Sequence, residues 1–264
     1  MQKLFDHLTQ AFRRNGGELS HDQYRRIVQG HTTLFEDAET ILLLLQASGY
    51  PVDTIETGYR YRPIYTPWAD ERFCVIDIET NGSKPEKSQV IEIGAVMVER
   101  GAITDRFETY VACAYLPPHI IKLTGIEPED LDGAPSRREA LTQLRHFLDD
   151  AIFVAHNVQF DYGFLNASFE RFGLGPIGNP RLCTIDLARR TFESERYGLA
   201  YLNASLDLGA RVQHRAFCDA RAASKVLLKS FQTLPDYVRT TDDLIRFSTS
   251  SASERKRWER NGLA

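Results

Sequence analysis

The chain has 264 residues, 42% hydrophobic and 26% charged, which is ordinary for a globular protein with an apolar core. The formal net charge of −4 excludes binding to nucleic acid through bulk positive charge, and leaves only a local patch or bound metal ions for that purpose. Four scattered cysteines without a CxxC pair disfavour a zinc cluster and a disulfide framework. The longest aliphatic run, residues 41–45, is too short to span a bilayer, and the first ten residues lack a signal-peptide pattern, so we expect a cytoplasmic protein with no membrane partner.

The first seventy residues predict a small helical module. LFDHLTQAFRR has apolar residues at helical spacing, and SHDQYRRIVQG predicts a second helix with Ser20 as its N-cap. TLFEDAETILLLLQASG predicts a third helix, and the alternation in YPVDTIETGYRYRPIY predicts a β-hairpin. Three helices followed by a hairpin are typical of a winged helix, so we assign residues 1–68 to a winged-helix-like domain. Its third helix carries Glu36, Asp37 and Glu39, which repel phosphates and favour a structural or protein-docking role over DNA reading.

Beyond this module the pattern changes to α/β. RFCVIDIET and SQVIEIGAVMVERGAITDRFETYVAC predict three strands, the last two joined as a hairpin. SRREALTQLRHFLDD predicts an amphipathic helix with Ser136 and Glu139 in a capping box. AIFVAHN predicts a buried strand before the helix FDYGFLNASFERFG, and RLCTI predicts a fifth strand before further helices. We therefore expect an α/β domain with a mixed central sheet flanked by helices over residues 72–234, and a C-terminal helix or tail over residues 235–264.

Three acidic residues stand at the ends of these predicted strands or just after them. Asp77 and Glu79 lie two apart in the motif DIET, so on a strand both project to one face. Their mutual repulsion calls for two oxygen-liganded divalent cations, or else for solvation at an exposed strand end. Asp161, in HNVQFD, follows an apolar strand, where α/β folds place their chemistry, although first-turn acids are also common on ordinary helices. We expect His156 in the same motif only to satisfy the turn.

The motif HRAFCDA adds a histidine and a fourth acid. It places His214 just before a predicted helix and Asp219 in the first turn of that helix. If the acids converge, they can hold two Mg²⁺ or Mn²⁺ ions roughly 3.5–4 Å apart, one activating a water and the other stabilising a leaving 3′-oxygen. Histidine ordinarily titrates near neutrality, so His214 is a candidate general base.

Taken in order, DIET, HNVQFD and HRAFCDA resemble the three exonuclease motifs of the DEDDh 3′–5′ exonucleases, over about residues 73–234. The loop LPPHIIKLTGI is similar to one in the proofreading (epsilon) subunits of bacterial DNA polymerase III and their polymerase-fused relatives. The resemblance implies an RNase H-like fold and two-metal hydrolysis. The metal-binding acids and the general base that it implies are Asp77, Glu79, Asp161, Asp219 and His214. The residues that it places near the 3′-terminal nucleotide are Thr80, Asn157 and Phe160.

Three hypotheses for the function follow. The first is a metal-dependent 3′–5′ exonuclease that releases nucleoside 5′-monophosphates from single-stranded or frayed DNA 3′ ends in proofreading or repair, with a replicative DNA polymerase as a candidate partner. The second keeps this chemistry but acts on RNA, as RNase T and oligoribonuclease do, because no motif in the chain reports on a 2′-hydroxyl contact. The third is a non-catalytic replisome adaptor, which would have no reason to keep all five chemical groups.

Overall fold

The computed structural model describes residues 1–31, 37–209 and 214–262, without the side chain of Asn261. Two sheets, one of three strands and one of five, are each packed against helices. In the part of the chain that is described, no helix is both long and apolar enough to cross a bilayer. All four cysteines are free.

The N-terminal unit contains the predicted helices and hairpin. Its elements are α1 (Gln2–Arg14), β1 (Glu18–Ser20), α2 (His21–Gln29), α3 (Ala38–Ala47), β2 (Val52–Ile55) and β3 (Gly58–Tyr61). The strands form an antiparallel sheet in the order β1-β3-β2. The sequence pattern missed β1, because three residues are too few to display the period of a strand. The start of the predicted third helix, including Glu36, lies outside the described residues, and α3 begins after Asp37, whose carboxylate accepts from Thr40 N.

This unit has an apolar core of its own. Ser20 caps α2 and completes a capping box with Gln23, so the start of that helix is fixed locally. Helix α1 buries one stripe of its surface, consisting of Leu4, Phe5, Leu8 and Phe12. That stripe packs on residues of α2, α3 and the small sheet, in a cluster separate from those around the larger sheet.

The larger sheet has the mixed topology that the sequence predicts. Its strands are β4 (Arg72–Thr80), β5 (Val90–Glu99), β6 (Ala102–Tyr110), β7 (Ile152–Ala155) and β8 (Arg181–Cys183). Their order is β6-β5-β4-β7-β8, with antiparallel pairing from β6 to β4 and parallel pairing from β4 to β8. A two-residue turn joins β5 to β6 and the loop of residues 81–89 joins β4 to β5, whereas the parallel pairs need helical crossovers. Strand β4 therefore lies at the centre of the sheet.

Helices cover both faces of this sheet. They are α4 (Pro118–Thr124), α5 (Arg137–Leu148), α6 (Val158–Arg171), α7 (Thr184–Thr191), α8 (Leu199–Ser205), α9 (Ala216–Phe231), α10 (Thr241–Thr249) and α11 (Ala252–Asn261). Helix α5 begins with the predicted capping box of Ser136 and Glu139. Even-numbered residues of β4, such as Ile76, pack with α5 and α6, whereas odd-numbered ones, such as Phe73 and Val75, pack with α7, α9 and α10. The odd-numbered face is the one that carries the acidic residues of β4.

The segment after residue 234 packs onto the sheet and reaches back to the N-terminal unit. Leu244 and Phe247 of α10 join the apolar cluster beneath α9. Thr240 forms a β-bridge with Pro67, at the junction between the two units. Asp242, in the first turn of α10, accepts two-point hydrogen bonds from Arg13 of α1. The two units are thus held together by contacts that the linear sequence does not display.

Candidate active site

The site is built around the end of the central strand β4. Asp77 and Glu79 occupy odd-numbered positions beyond the apolar Phe73 and Val75, so both carboxylates project from the face that α9 covers. A register shift between Glu79 and Thr80 ends the regular ladder with β5 at this point. The predicted same-face arrangement of the two acids is confirmed.

A glycine in β5 brings α9 close to these acids. Gly94 is the register partner of Asp77. A Cβ atom added to Gly94 would lie 2.1 Å from the backbone nitrogen of Phe217, closer than any stable contact. The first turn of α9 therefore rests directly on the strand, because this position has no side chain.

The start of α9 carries the histidine and the fourth acid. His214 precedes the helix with φ 59°, a left-handed conformation, and its side chain is exposed. The His214 N–H donates to Asp219 Oδ2 at 3.0 Å, which ties the residue before the helix to its first turn. One possible ligand atom from each of Glu79, His214 and Asp219 lies within 4.8 Å of the others. These three predicted residues are thus brought together.

Asp161 reaches the same place from the other side of the sheet. It lies in the first turn of α6, which follows β7, and is only 4% exposed. Its Oδ1 accepts from the backbone N–H of Ile78 at 3.3 Å, between Asp77 and Glu79 on β4. The three predicted motifs, whose acids Asp77, Asp161 and Asp219 span 142 residues of the chain, therefore converge on one end of β4 because the parallel crossover places α6 there.

The electrostatics of the cluster are dominated by negative charge. Burial, reinforced by the carboxylates of Asp161, Asp219 and Glu79, holds the pKa of Asp77 well above its ordinary range. Burial and the nearby Glu92 raise the pKa of Glu79 to about 8, although Arg215 opposes this shift.

The two helix-borne acids are shifted in the same direction. Burial raises the pKa of Asp161 to about 7, against the hydrogen bond from Ile78. Burial also raises the pKa of Asp219, while the bond from His214 N lowers it. Clustered carboxylate oxygens that resist ionisation next to one another form a donor set suited to a hard divalent cation.

The three predicted substrate-binding residues flank this cluster along the chain. Thr80, which follows Glu79, donates its hydroxyl to the Gly82 carbonyl at 2.9 Å. Asn157 precedes α6 in a left-handed conformation (φ 81°) with an exposed side chain. The ring of Phe160, next to Asp161, is 38% exposed. A role for these residues in binding substrate stays a prediction.

The His156 side chain bonds to partners 28 and 41 residues away, not within its own turn as the sequence predicts. Its Nε2 lies 2.9 Å from the carbonyl oxygen of Tyr197, and its Nδ1 lies 2.8 Å from Thr184 Oγ1. The carbonyl can only accept, so Nε2 carries the proton and the Thr184 hydroxyl donates to Nδ1. Burial lowers the pKa of His156 to about 4, which keeps the ring neutral.

The sequence reasoning missed Glu92 and Gly94, which both shape the site from β5. Strand β5 is otherwise buried and apolar along VIEIGAVMV, so a glutamate inside that run must have a partner. A glycine inside a strand likewise signals a close approach of another backbone. These two signals were present in the motif IEIGA, but neither identifies the partner, which lies about 120 residues further along the chain.

The fold and the site together define an α/β exonuclease of RNase H-like architecture: a mixed sheet whose central strand ends in a carboxylate cluster. Residues 74–227 match the family model described as the RNase T exonuclease, and the chain therefore belongs to this exonuclease family.

Several curated relatives are DNA polymerases of the PolC type. The PolC-type DNA polymerase III of Halalkalibacterium halodurans is 37% identical over 174 residues, which cover 63% of this chain and 12% of that protein. The PolC-type enzyme of Staphylococcus haemolyticus is 34% identical over 200 residues, covering 75% of this chain and 14% of that protein. The chain thus spans only about an eighth of the length of these relatives.

Solved structures share the fold. Escherichia coli Exonuclease I in complex with a dT13 oligonucleotide has a TM-score of 0.54 and 19% identity, covering 60% of this chain and 40% of that one. A further Exonuclease I structure has a TM-score of 0.56 at 18% identity, covering 67% and 43% of the two chains. At this level of identity the likeness establishes the architecture.

Proposed function

We propose that this protein is a DEDDh-type 3′–5′ exodeoxyribonuclease that uses two divalent metal ions and acts in replication proofreading or repair. The observation that carries the proposal is the convergence of three sequence motifs on one end of β4. It brings Glu79, His214 and Asp219 within mutual ligand distance and ties Asp161 to the backbone between Asp77 and Glu79.

The similarity to known proteins supports DNA as the substrate. The relatives over this region are DNA polymerases of the PolC type. Exonuclease I, which shares the fold, has been captured with single-stranded DNA oligonucleotides. A single-stranded or frayed 3′ end presented by a replicative polymerase is accordingly the proposed substrate, and the cytoplasm the proposed location.

The residues present fit two Mg²⁺ or Mn²⁺ ions. The proposed ligands are the carboxylates of Asp77, Glu79, Asp161 and Asp219, all oxygen donors of the kind these cations prefer. Burial and neighbouring carboxylates raise the pKa of Asp77 and raise that of Glu79 to about 8, and a bound cation would favour the ionised form of both. Bound divalent ions would supply activation of the attacking water and stabilisation of the leaving 3′-oxygen.

The chain's own residues carry the remaining steps. His214 is exposed and sits beside Asp219, so it can face a water that approaches the terminal phosphodiester and accept its proton. Phe160 and Asn157 flank Asp161 on the solvent side, where they can hold the 3′-terminal nucleotide. Hydrolysis then releases a nucleoside 5′-monophosphate and leaves a new 3′-hydroxyl.

A 5′-labelled single-stranded oligonucleotide tests the proposal. With Mg²⁺ or Mn²⁺, we expect a ladder that shortens from the 3′ end, and we expect EDTA to abolish it. Asp219→Asn and His214→Ala should each lower the rate by about 10²- to 10⁴-fold, because they remove a metal ligand and a positioned base. Asp105→Asn, which removes an exposed carboxylate of the edge strand β6, is the matched control and should leave the rate unchanged.

An RNA oligonucleotide of the same sequence separates the alternatives. A ladder on RNA alone would keep the chemistry but overturn DNA as the substrate. No ladder on either polymer, with metal present, would overturn the enzymatic proposal and favour an adaptor role.

A further inference from the structure

Glu92 is a charged residue in one of the most apolar parts of the protein. It lies in β5 between Ile91 and Ile93, and only 1% of it is exposed. A carboxylate in such a place costs several kcal/mol of free energy unless it is paired and hydrogen-bonded. Its partners therefore indicate why the chain keeps a glutamate here.

Both carboxylate oxygens of Glu92 are bound to the start of α9. Oε1 accepts from Arg215 Nε at 3.1 Å and from Arg215 Nη2 at 3.0 Å. Oε2 accepts from the backbone N–H of Ala216 at 3.0 Å. Arg215 and Ala216 are the two residues that directly follow His214, so Glu92 fixes the chain between the proposed base and Asp219.

A residue of a third strand, β6, also contacts the Arg215 side chain. Tyr110 of β6 is the register partner of Glu92, and Glu92 is in turn the register partner of Glu79. The Tyr110 hydroxyl accepts from Arg215 Nη2 at 2.6 Å, and the guanidinium lies 5.4 Å from the centre of the tyrosine ring. Glu79, Glu92 and Tyr110 thus form one row across three strands, with Arg215 lying over it.

This row also reduces the repulsion between two neighbouring glutamates. Like charges directly opposite one another on neighbouring strands destabilise a sheet, and Glu79 and Glu92 are such a pair. Arg215 neutralises Glu92 and leaves the Glu79 carboxylate for other ligands.

We infer that Glu92, Arg215 and Tyr110, here called the α9 clamp, are positioning residues that hold His214 and Asp219 in place against Asp77 and Glu79. The inference rests on the proposed nuclease function. The clamp touches neither substrate nor reacting atoms. It anchors Arg215 and Ala216, two of the four residues between His214 and Asp219, so loss of the clamp moves a base and a metal ligand together.

Steady-state kinetics on single-stranded DNA test the clamp. We expect Arg215→Met to lower kcat by about 10- to 100-fold with KM for DNA changed by less than about twofold, because misplacement of catalytic groups affects the transition state rather than ground-state binding. Tyr110→Phe removes one contact of Arg215 and should give a smaller fall in kcat. An unchanged kcat for Arg215→Met overturns the inference. A raised KM at unchanged kcat, with a weaker salt dependence of binding, also overturns it, because Arg215 would then contact DNA phosphate.

The chain offers a matched control in Arg13→Met. Arg13 makes the same two-point contact to a buried carboxylate, that of Asp242, and the side-chain exposures are 32% and 4%, against 32% and 1% for Arg215 and Glu92. The Arg13→Met variant should have a lower melting temperature than wild type, as Arg215→Met should. Its kcat should stay at the wild-type value. An equal loss of kcat in both variants would show a general effect of destabilisation and overturn the inference.

Removal of Arg215 alone leaves Glu92 buried and unpaired, and that variant can fail to fold. The double variant Glu92→Gln/Arg215→Met removes the buried charge and keeps a carbonyl acceptor for Ala216 N. We expect it to fold and still to show the lowered kcat, whereas recovery of wild-type kcat overturns a positioning role for Arg215.

Titration of the DNA-free protein with Mn²⁺, followed calorimetrically, provides a readout independent of catalysis. We expect Arg215→Met to bind Mn²⁺ more weakly than wild type and Arg13→Met to bind it equally well. If the wild-type protein degraded no nucleic acid, the proposed function would fail and the clamp would be judged on this titration alone. Unchanged Mn²⁺ affinity in Arg215→Met would then overturn it.

Discussion

Asp77, Glu79 and Asp161 are carboxylates whose pKa values the fold raises above the ordinary range. Burial comes first among the causes for all three, and neighbouring carboxylates add to it for the two residues of β4. A structural role would gain nothing from such crowding, because water-exposed positions solvate carboxylates at no cost. At the scale of single residues, the site therefore stores unfavourable free energy that a bound cation would relieve.

The raised pKa values of these carboxylates predict how the free energy of unfolding depends on pH. The folded-state pKa values of Glu79 and Asp161, about 8 and about 7, lie above the value near 4 that such groups have when unfolded, so the folded state binds protons more tightly. In EDTA, the free energy of unfolding should fall as pH rises from about 4 to about 8, and thermal unfolding at a series of pH values measures it. Added Mn²⁺ should raise the melting temperature most at the upper end of this pH range. Glu79→Gln should flatten the dependence and Asp105→Asn should not, so a Glu79→Gln variant with the wild-type slope would contradict the prediction.

At the scale of elements, the contact between β5 and α9 decides the geometry of the site. Asp219 can approach β4 only because the first turn of α9 rests on Gly94, where any Cβ would collide with the backbone of Phe217. The helix itself buries Ala220, Ala223 and Leu227 along one face, so its packing is ordinary beyond this turn. The absence of a side chain at Gly94 thus determines how closely α9 approaches the sheet.

Gly94→Ala should therefore impair both activity and stability. The added methyl group forces α9 away from β5, which we expect to lower kcat by about 10²-fold and the free energy of unfolding by roughly 1–3 kcal/mol. Gly163→Ala is the matched control, since a Cβ there meets nothing within 4 Å on the exposed side of α6. It should stabilise the protein slightly, as alanine does in helices. Exonuclease kinetics and urea unfolding of both variants measure these effects, and wild-type kcat in Gly94→Ala would refute this account of the β5–α9 contact.

At the scale of the whole molecule, the N-terminal unit is tied to the exonuclease unit at several points. Arg62 contacts Asp150 at 2.6 Å, and Arg145 donates to the Ser48 carbonyl at 3.1 Å. The Arg13–Asp242 pair joins α1 to α10. Each unit has its own apolar cluster, and these polar contacts connect the two units.

We expect the two units to unfold in a single transition. Arg13→Met should lower the free energy of unfolding by roughly 1–3 kcal/mol, because the Asp242 carboxylate stays buried without its partner. Arg13→Met/Asp242→Asn, which removes the buried charge, should recover part of this loss. Urea unfolding followed by circular dichroism and by tryptophan fluorescence measures both. Two separate transitions in the wild-type protein would contradict this coupling.

The sequence by itself predicted most of the strands and helices and the acidic residues of the candidate site. Strand and helix periodicity, the capping boxes of Ser20 and Ser136, and the motifs that carry Asp77, Asp161 and Asp219 could all be read from residues close together in the chain, because propensity, capping and side-chain alternation are local effects. The winged-helix designation of residues 1–68 and the substrate contacts stay predictions.

Only the tertiary structure decided how these parts meet. The sequence displays a glutamate and a glycine in IEIGA, but it does not say that Glu92 binds Arg215, 123 residues further along the chain, or that Gly94 admits the backbone of α9. The sequence likewise does not reveal that α10 contacts α1 through Asp242 and Arg13, which are 229 residues apart. Such contacts depend on strand order, register and packing of the whole chain, which no local pattern encodes.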